Sequence, residues 1–149
     1  MMRYECLEHR FVQHIPDKVE PGILYVSMEY GTAVHSCCCG CNEEVVTPFT
    51  PTDWKMIFDG ETISLHPSVG NWSLACRSHY VIQRDRIVEA GSWTDTQIEA
   101  ERSRDRAAKA LHYGATISGD DASDTISQSS INHAPGGLWR RLWSWVRDR

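Results

Sequence analysis

The sequence predicts a mainly β fold, a small antiparallel sheet or sandwich tied by a metal site, with helical segments after it. Three observations predict this class. Residues 1–93 consist of short stretches that alternate apolar and polar residues between turn signals. Four of the six cysteines lie within residues 35–41, a density typical of a metal site or a disulfide framework. From residue 94 onward the alternation stops, which separates the β domain from the rest of the chain.

Six or seven short strands are predicted within residues 1–93. The clearest hairpin is residues 54–66, WKMIFDGETISLH, because Asp59-Gly60 accepts positive φ in a two-residue turn. A second hairpin is predicted over residues 78–91, with its turn near Arg84-Asp85. Short strands of this spacing favour a small antiparallel sheet, a sandwich or a half-barrel. The remaining predicted strands are residues 11–16, 22–31, 32–37 and 43–49.

A helix is predicted over residues 94–113, which are rich in Glu, Arg and Ala. Thr94 with Gln97 fits a capping box, and Gly114 fits the C-terminal stop. The apolar face of this helix is weak and consists of Ile98, Ala108 and Leu111. We therefore expect a helix that is solvated on most sides.

The last segments are predicted to be an acidic flexible linker, residues 114–136, and a basic amphipathic helix, residues 137–149. The helix contains LWRRLWSWVRDR, in which three tryptophans fall within seven residues. That much apolar surface is expected to dock on its own domain, on a protein partner or on a membrane surface.

Charge and hydropathy exclude several classes of function. The formal net charge is −5, which argues against nucleic-acid binding through phosphate contacts. The chain contains no run of about 18 apolar residues, so no membrane span is predicted. The first residues, MMRYECLEHRF, lack the apolar core of a signal peptide. We therefore expect a cytoplasmic, reducing environment, where clustered cysteines bind metal or do chemistry more often than they form disulfides.

The cysteine cluster has the spacing of a zinc site. Three cysteines alternate along HSCCCGC, and Gly40 supplies the turn that lets their thiolates wrap around one ion. The fourth ligand is expected from a distant hairpin, so that the ion ties two parts of the domain together. The predicted ligands are Cys37, Cys39, Cys41 and Cys76.

A rival ligand set uses a histidine instead of the first cysteine. It consists of Cys39, Cys41, Cys76 and His79. The remaining cysteine of the cluster, Cys38, points away from its neighbours on a strand and is predicted only to pack. A site with four thiolates has no open position for water, so it predicts a structural zinc ion and not a metallohydrolase.

The segment between the ligands, residues 64–80, is dense in groups that do chemistry. Ser68 is predicted in a Pro-Ser-Val-Gly-Asn loop just past a strand, where the backbone N–H groups of Gly70 and Asn71 could hold an oxyanion. His79 or His35 could take the serine proton. From residue types alone, ordinary loop hydrogen bonds explain the serine and the asparagine more simply.

Four segments together resemble a small bacterial domain family whose function was long unassigned: LYVSMEYGTAVHSCCCGC, VVTPFTPTDW, FDGETISLHPSVGNW and CRSHYVI. Members are encoded beside ubiquitin-like proteins and relatives of ubiquitin-activating and ubiquitin-conjugating enzymes. The resemblance covers residues 22–93 and departs from the family pattern at Asn42, commonly glycine, and at Cys38. The matching positions are His35, Cys37, Cys39, Cys41, Ser64, Ser68, Gly70, Asn71, Trp72, Cys76, Ser78, His79 and Tyr80.

The resemblance implies a hydrolase that trims a ubiquitin-like modifier or removes it from targets. Ser68 or Ser78 would be the nucleophile and His79 or His35 the base. Ser78 and His79 are adjacent, so on one strand they face opposite sides and cannot serve each other directly.

The alternative is a zinc-stabilised adaptor that binds the modifier or its conjugating enzymes without chemistry. Relatives sometimes carry an ammonia monooxygenase label, which thiolate ligands argue against, because copper oxygen chemistry prefers imidazoles.

Overall fold

The computed structural model describes residues 1–114, which form two four-stranded sheets and one helix. The strand orders are β1-β2-β3-β4 and β5-β6-β7-β8. The predicted linker beyond Gly114 and the predicted amphipathic helix lie outside the described residues. The elements are β1 Glu8–Phe11, β2 Ile23–Ser27, β3 Thr32–Ser36, β4 Glu44–Pro48, β5 Lys55–Phe58, β6 Ile63–Gly70, β7 His79–Gln83, β8 Arg86–Glu89 and α1 Asp95–Gly114.

The two sheets share one hydrophobic core, which places them face to face. Leu24 and Val26 of β2 belong to the same buried cluster as Leu65 of β6 and Ile82 of β7. Alternate residues of each strand supply this core, because successive side chains of a strand point to opposite faces. The prediction of a mainly β fold built from short strands is confirmed.

The first sheet is covered on its other face as well. Ile15 and Val19, from the connection between β1 and β2, pack with Ile23, Tyr25 and Val34 in a second buried cluster. All five residues of β2 are therefore buried. A strand buried on both faces has a continuous apolar sequence instead of an alternating one.

One strand pair differs from the antiparallel sheet that was predicted. β1 runs parallel to β2, because residues 12–22 return the chain to the start of the sheet before β2 begins. Residues 11–16 were predicted to be a strand, but only Phe11 lies in β1. Val12 N still donates to Val26 O at 2.8 Å, but Ile15 and Val19 beyond it cover the face of the first sheet. The segment before β1 also reaches the second sheet, through hydrogen bonds from Leu7 N to Asp85 O and from Ile87 N to Glu5 O, both of 2.8 Å.

The two predicted hairpin turns have different outcomes. Arg84 and Asp85 join β7 to β8 with φ of 51° and 62°, so the predicted turn position is confirmed. The connection between β5 and β6 is longer than the two-residue turn expected, and only Gly60 in it has positive φ. There the Asp59 carboxylate accepts the backbone N–H groups of Thr62 and Glu61, which lowers the pKa of Asp59 to about 2.

Helix α1 begins with the predicted capping box. Thr94 N donates to Gln97 Oε1 at 2.9 Å, and Gln97 N donates back to Thr94 Oγ1 at 3.3 Å. Of the three residues expected on the apolar face of α1, only Ile98 is buried. Ala108 and Leu111 face solvent, and Leu111 is 77% exposed. Within residues 1–114, no helix is both long enough and apolar enough to cross a membrane.

Two ion pairs attach α1 to the β domain at separate points. Near the start of the helix, Arg77 contacts Asp95 at 2.6 Å. Near its end, Lys109 Nζ contacts Asp53 at 2.8 Å, in the connection between β4 and β5. The helix is therefore tied to the segment before β7 and to the connection between β4 and β5, and this position matters for the site described below.

Asp85 is expected to be a main tie between the sheets. Its carboxylate accepts Ile63 N at 2.8 Å and contacts His9 Nδ1 at 2.9 Å. Asp85→Ala should lower the free energy of unfolding by about 2–3 kcal/mol, because it strands a backbone donor and removes a charge-assisted contact. Asp85→Asn keeps an acceptor and tolerates positive φ, so it should lose less than Asp85→Ala. Denaturant unfolding measures both, and equal losses would contradict this role.

Candidate active site

Ser68 and His79 form a hydrogen-bonded pair between β6 and β7. The distance from Ser68 Oγ to His79 Nε2 is 2.8 Å, and the other ring nitrogen, Nδ1, lies 2.9 Å from the backbone oxygen of Gly91. A carbonyl oxygen only accepts, so Nδ1 carries the proton and Nε2 is free to accept the serine O–H. This is the tautomer that a general base requires.

A bulge in β6 places the serine. Leu65 pairs with Ile82 and Val69 pairs with Tyr80, so three residues of β6 oppose one residue of β7. Ser68 lies inside this bulge, not in a loop past the strand as the sequence predicted. Bulges redirect a side chain locally, and here the redirected side chain is the one that meets the histidine.

Two tryptophans pack against the histidine ring. The ring centroid of Trp72 lies 4.9 Å from that of His79, and the ring of Trp93 lies 5.1 Å away at its edge. The two indoles stack on each other at 5.4 Å. Gly70 pairs with His79 across the sheet, and a Cβ built there would lie 2.5 Å from Trp72 Nε1. The glycine therefore leaves the space that the indole occupies.

The pair opens into a groove of about 1010 Å³. One wall is the end of β6 with Ser68, and another is the α1 face that carries Arg102 and Lys109. Trp54 and β4 close the far side. A groove of this size is large enough for several residues of an extended peptide.

The four cysteines predicted to bind metal meet at the end of the core. Their sulfur atoms all lie within 4.8 Å of one another, and the Cys37 sulfur is 3.4 Å from that of Cys39 and 3.9 Å from that of Cys76. Four sulfurs around a tetrahedral ion at a metal–sulfur distance of about 2.3 Å would lie about 3.8 Å apart. The cluster Cys37, Cys39, Cys41 and Cys76 can therefore hold a metal ion.

The cysteine segment turns at Gly40 as predicted, although Cys38, which was expected on a strand, lies in the turn. After β3 the chain turns through residues 38–41, where Gly40 has φ of 92°, and Asn42 follows with φ of 65°. Asn42 thus adopts the left-handed backbone that a glycine would. Cys38 packs in the core as predicted, and burial raises the pKa of its thiol to about 12.

Polar side chains surround the cysteine sulfurs. Ser78 Oγ lies 3.1 Å from Cys37 Sγ, and Asn71 Nδ2 donates to Ser78 Oγ at 2.9 Å and to Cys37 Sγ at 3.6 Å. Burial raises the pKa of Cys76, but its hydrogen bonds with Ser78, Cys39 and Cys41 together outweigh burial and lower the pKa to about 7. Donors aimed at sulfur stabilise the thiolate form that binds metal.

A comparison with known protein families shows where this chain belongs. A family described as bacterial ubiquitination-like system serine protease (BubE) matches residues 11–90, which is more than half of the 149 residues. The chain belongs to the BubE family. It is thus a serine protease of a bacterial ubiquitination-like system. Comparisons with curated proteins and with solved structures returned no match.

The other predicted site residues of this BubE protein lie on the cysteine side of β7. Ser78 and Asn71 contact the cysteine cluster. His35 is fully buried with Nε2 at 2.7 Å from Tyr80 Oη, and burial lowers its pKa to about 4, so it is neutral. His79 is bonded to Ser68 and Gly91, which leaves neither ring nitrogen for the rival metal site.

Some features of the BubE site could not be predicted from residue types and spacing. The histidine is oriented by a backbone carbonyl at Gly91, and a carbonyl is present at every residue. Asn71 N donates to Ser78 O at 2.8 Å, so it is not the free oxyanion donor that was expected. Trp93 and α1 contribute to the groove, yet they lie beyond the matched residues 11–90.

Gly70→Ala should disturb this site without disturbing the cysteine cluster. The added Cβ would displace the Trp72 indole, because contacts of 2.5–2.9 Å to that ring leave no room. Loss of the stack on Trp93 should appear as a changed near-ultraviolet circular dichroism signal. Peptidase activity should fall at least about tenfold, since small misplacements at a catalytic group are costly. An unchanged indole signal and full activity would show that Gly70 has no such role.

Proposed function

We propose that this protein hydrolyses a peptide or ester bond at the C-terminus of a ubiquitin-like modifier, with Ser68 as nucleophile and His79 as base. The observation that carries the proposal is the Ser68–His79 hydrogen bond of 2.8 Å, in which the second ring nitrogen is committed to Gly91 O. The pair opens into the groove, and the chain belongs to a serine protease family.

The reaction would follow the chemistry of an activated serine. Ser68 Oγ attacks the scissile carbonyl carbon while His79 Nε2 takes the hydroxyl proton. The resulting imidazolium gives that proton to the leaving amine or alkoxide as the carbon–heteroatom bond breaks. Water then hydrolyses the acyl-serine, with His79 again as base. Gly91 O fixes the ring tautomer, and the packed indole of Trp72 helps to fix the ring position.

The groove supports an extended substrate, such as the flexible tail of a modifier. Removal of a C-terminal extension and removal of the modifier from a target present the same scissile carbonyl after the same tail. Both reactions are therefore open to one site. Partners are then the ubiquitin-like protein and the conjugating enzymes of its system, while nucleic acid is not expected at a net charge of −5.

Ser78, Asn71 and His35 are proposed to position the site and not to react. Ser78 and Asn71 hold the Cys37 sulfur. His35 supports the buried hydroxyl of Tyr80, which Asn71 Nδ2 also contacts at 3.4 Å. These contacts place all three side chains on the core side of β7, where an extended substrate has no access.

The metal is proposed to be one zinc ion held by Cys37, Cys39, Cys41 and Cys76. Four thiol donors in tetrahedral reach are the ligand set of structural zinc. A bound ion there would contribute folding free energy and supply no chemistry, because no coordination position remains for water. The four thiols must stay reduced to bind zinc, which fits a cytoplasmic location.

Ser68→Ala and His79→Ala should each abolish cleavage of the modifier. The substrate is the ubiquitin-like protein of the same system carrying a C-terminal extension, and cleavage is followed by intact mass. Loss of about a thousandfold or more is expected when either member of such a pair is removed. Ser103→Ala and His14→Ala, both at exposed positions away from the groove, should cleave like the wild type.

A fluorophosphonate probe identifies the nucleophilic serine by covalent labelling and does not require the substrate. It should label Ser68 in the wild type, and His79→Ala should suppress the labelling. Labelling of Ser78 instead would overturn the assignment of the nucleophile. If the wild type binds the modifier, cleaves nothing and resists the probe, the protein is an adaptor for the modifier.

Metal content gives an independent result. Protein purified without added metal should contain about one equivalent of zinc, and Cys37→Ser or Cys76→Ser should lose it and unfold. Cys38→Ser is the matched control, because Cys38 packs in the core beside the cluster without joining it. Iron in place of zinc, or metal retained in Cys76→Ser, would contradict the proposed centre.

A further inference from the structure

The second sheet has a face that nothing within residues 1–114 covers. Side chains of paired residues in antiparallel strands point to the same face, so the strand register defines its members. They alternate with the core residues and are mostly exposed, and we name this set the bare face. Its members are Lys55, Ile57, Ser64, His66, Val81, Gln83, Arg86 and Val88.

The bare face has an apolar part and only basic charges. Ile57 is 44% exposed and Val88 is 50% exposed, next to its partner Val81. Lys55 and Arg86 are exposed, and neither has an ion pair among the described residues. No aspartate or glutamate belongs to the set. Exposed apolar surface with charge of one sign is typical of a binding site for a protein of opposite charge.

The bare face is continuous with the serine–histidine pair. Val81 is two residues beyond His79 on β7, so both side chains leave the sheet on the same side. Two residues of a strand span about 7 Å. A protein seated on the bare face would therefore have its surface beside the groove, and an extended tail leaving that surface could pass Ser68 directly.

We propose that the folded body of the ubiquitin-like modifier docks on the bare face, through an apolar surface bordered by acidic side chains. This inference rests on the proposed function. The chain's own residues 138–149 are a poor occupant, because they carry four arginines against one aspartate and would meet Lys55 and Arg86 with like charge.

The size of the bare face suits a substrate that must leave after cleavage. Four strands about 4.8 Å apart, with about four residues each at 3.4 Å, present a few hundred Å². That is smaller than the roughly 800 Å² per partner of a stable complex. Docking there is thus weak and transient. Its binding free energy adds to that of the modifier tail in the groove.

Binding measured without turnover tests the charged part of the bare face. In the Ser68→Ala protein, the affinity for full-length modifier is compared with that for a synthetic peptide of its tail. Adding Lys55→Glu and Arg86→Glu should raise the Kd for the modifier at least about tenfold and weaken its dependence on salt. The Kd for the tail peptide should stay within about twofold, because that peptide reaches only the groove. Lys18→Glu, an exposed site far from this sheet, is the matched charge control.

The apolar part is tested by replacing exposed apolar side chains with polar ones that are also β-branched. Ile57→Thr with Val88→Thr keeps β-branched side chains on both strands, so folding should be preserved. The same selective loss of modifier affinity is expected. Unchanged affinity for the modifier in both double variants overturns the docking site. Equal losses for modifier and peptide, with a lowered melting temperature, overturn it too and indicate that the chain itself covers this face. Failure of cleavage affects none of these outcomes.

Discussion

Adjacent residues on a β-strand point to opposite faces, and at Ser78 and His79 this alternation joins two sites. Ser78, just before β7, points inward and contacts the sulfur of Cys37, just after β3, while His79 points outward and accepts from Ser68. One side of the start of β7 therefore contacts the cysteine cluster, and its other side carries the proposed base. Any displacement of the cluster moves the histidine relative to the serine.

Two ties hold the sheets together at different places around the shared core. Four cysteine sulfurs connect the turn after β3 with the segment before β7. The Asp85 carboxylate connects the turn between β7 and β8 with β6 and β1. The β6–β7 pair thus lies between fixed points, and the bulge can hold Ser68 toward solvent. α1 then needs only Ile98 and a few ion pairs to form a wall of the groove.

The local rules of sequence predicted most of this fold. Alternation gave the strands, the capping box gave the start of α1, and cysteine spacing gave the cluster of four sulfurs. They did not predict the parallel β1, because residue types do not distinguish apolar residues that cover a sheet, such as Ile15 and Val19, from apolar residues of a strand. The bulge at Ser68 and the carbonyl of Gly91 depend on tertiary pairing, which leaves no pattern in residue types.

The central claim is that His79 is a base held ready by the fold, with its Nδ1 proton on Gly91 O and Nε2 open to the Ser68 hydroxyl. Nitrogen NMR of the histidine rings in the intact wild-type protein at neutral pH tests this directly. We expect a His79 ring that is protonated at Nδ1 and unprotonated at Nε2, with a coupling across the hydrogen bond to the Gly91 carbonyl. A ring protonated at Nε2 alone would contradict it, because Ser68 would then have no acceptor for its proton.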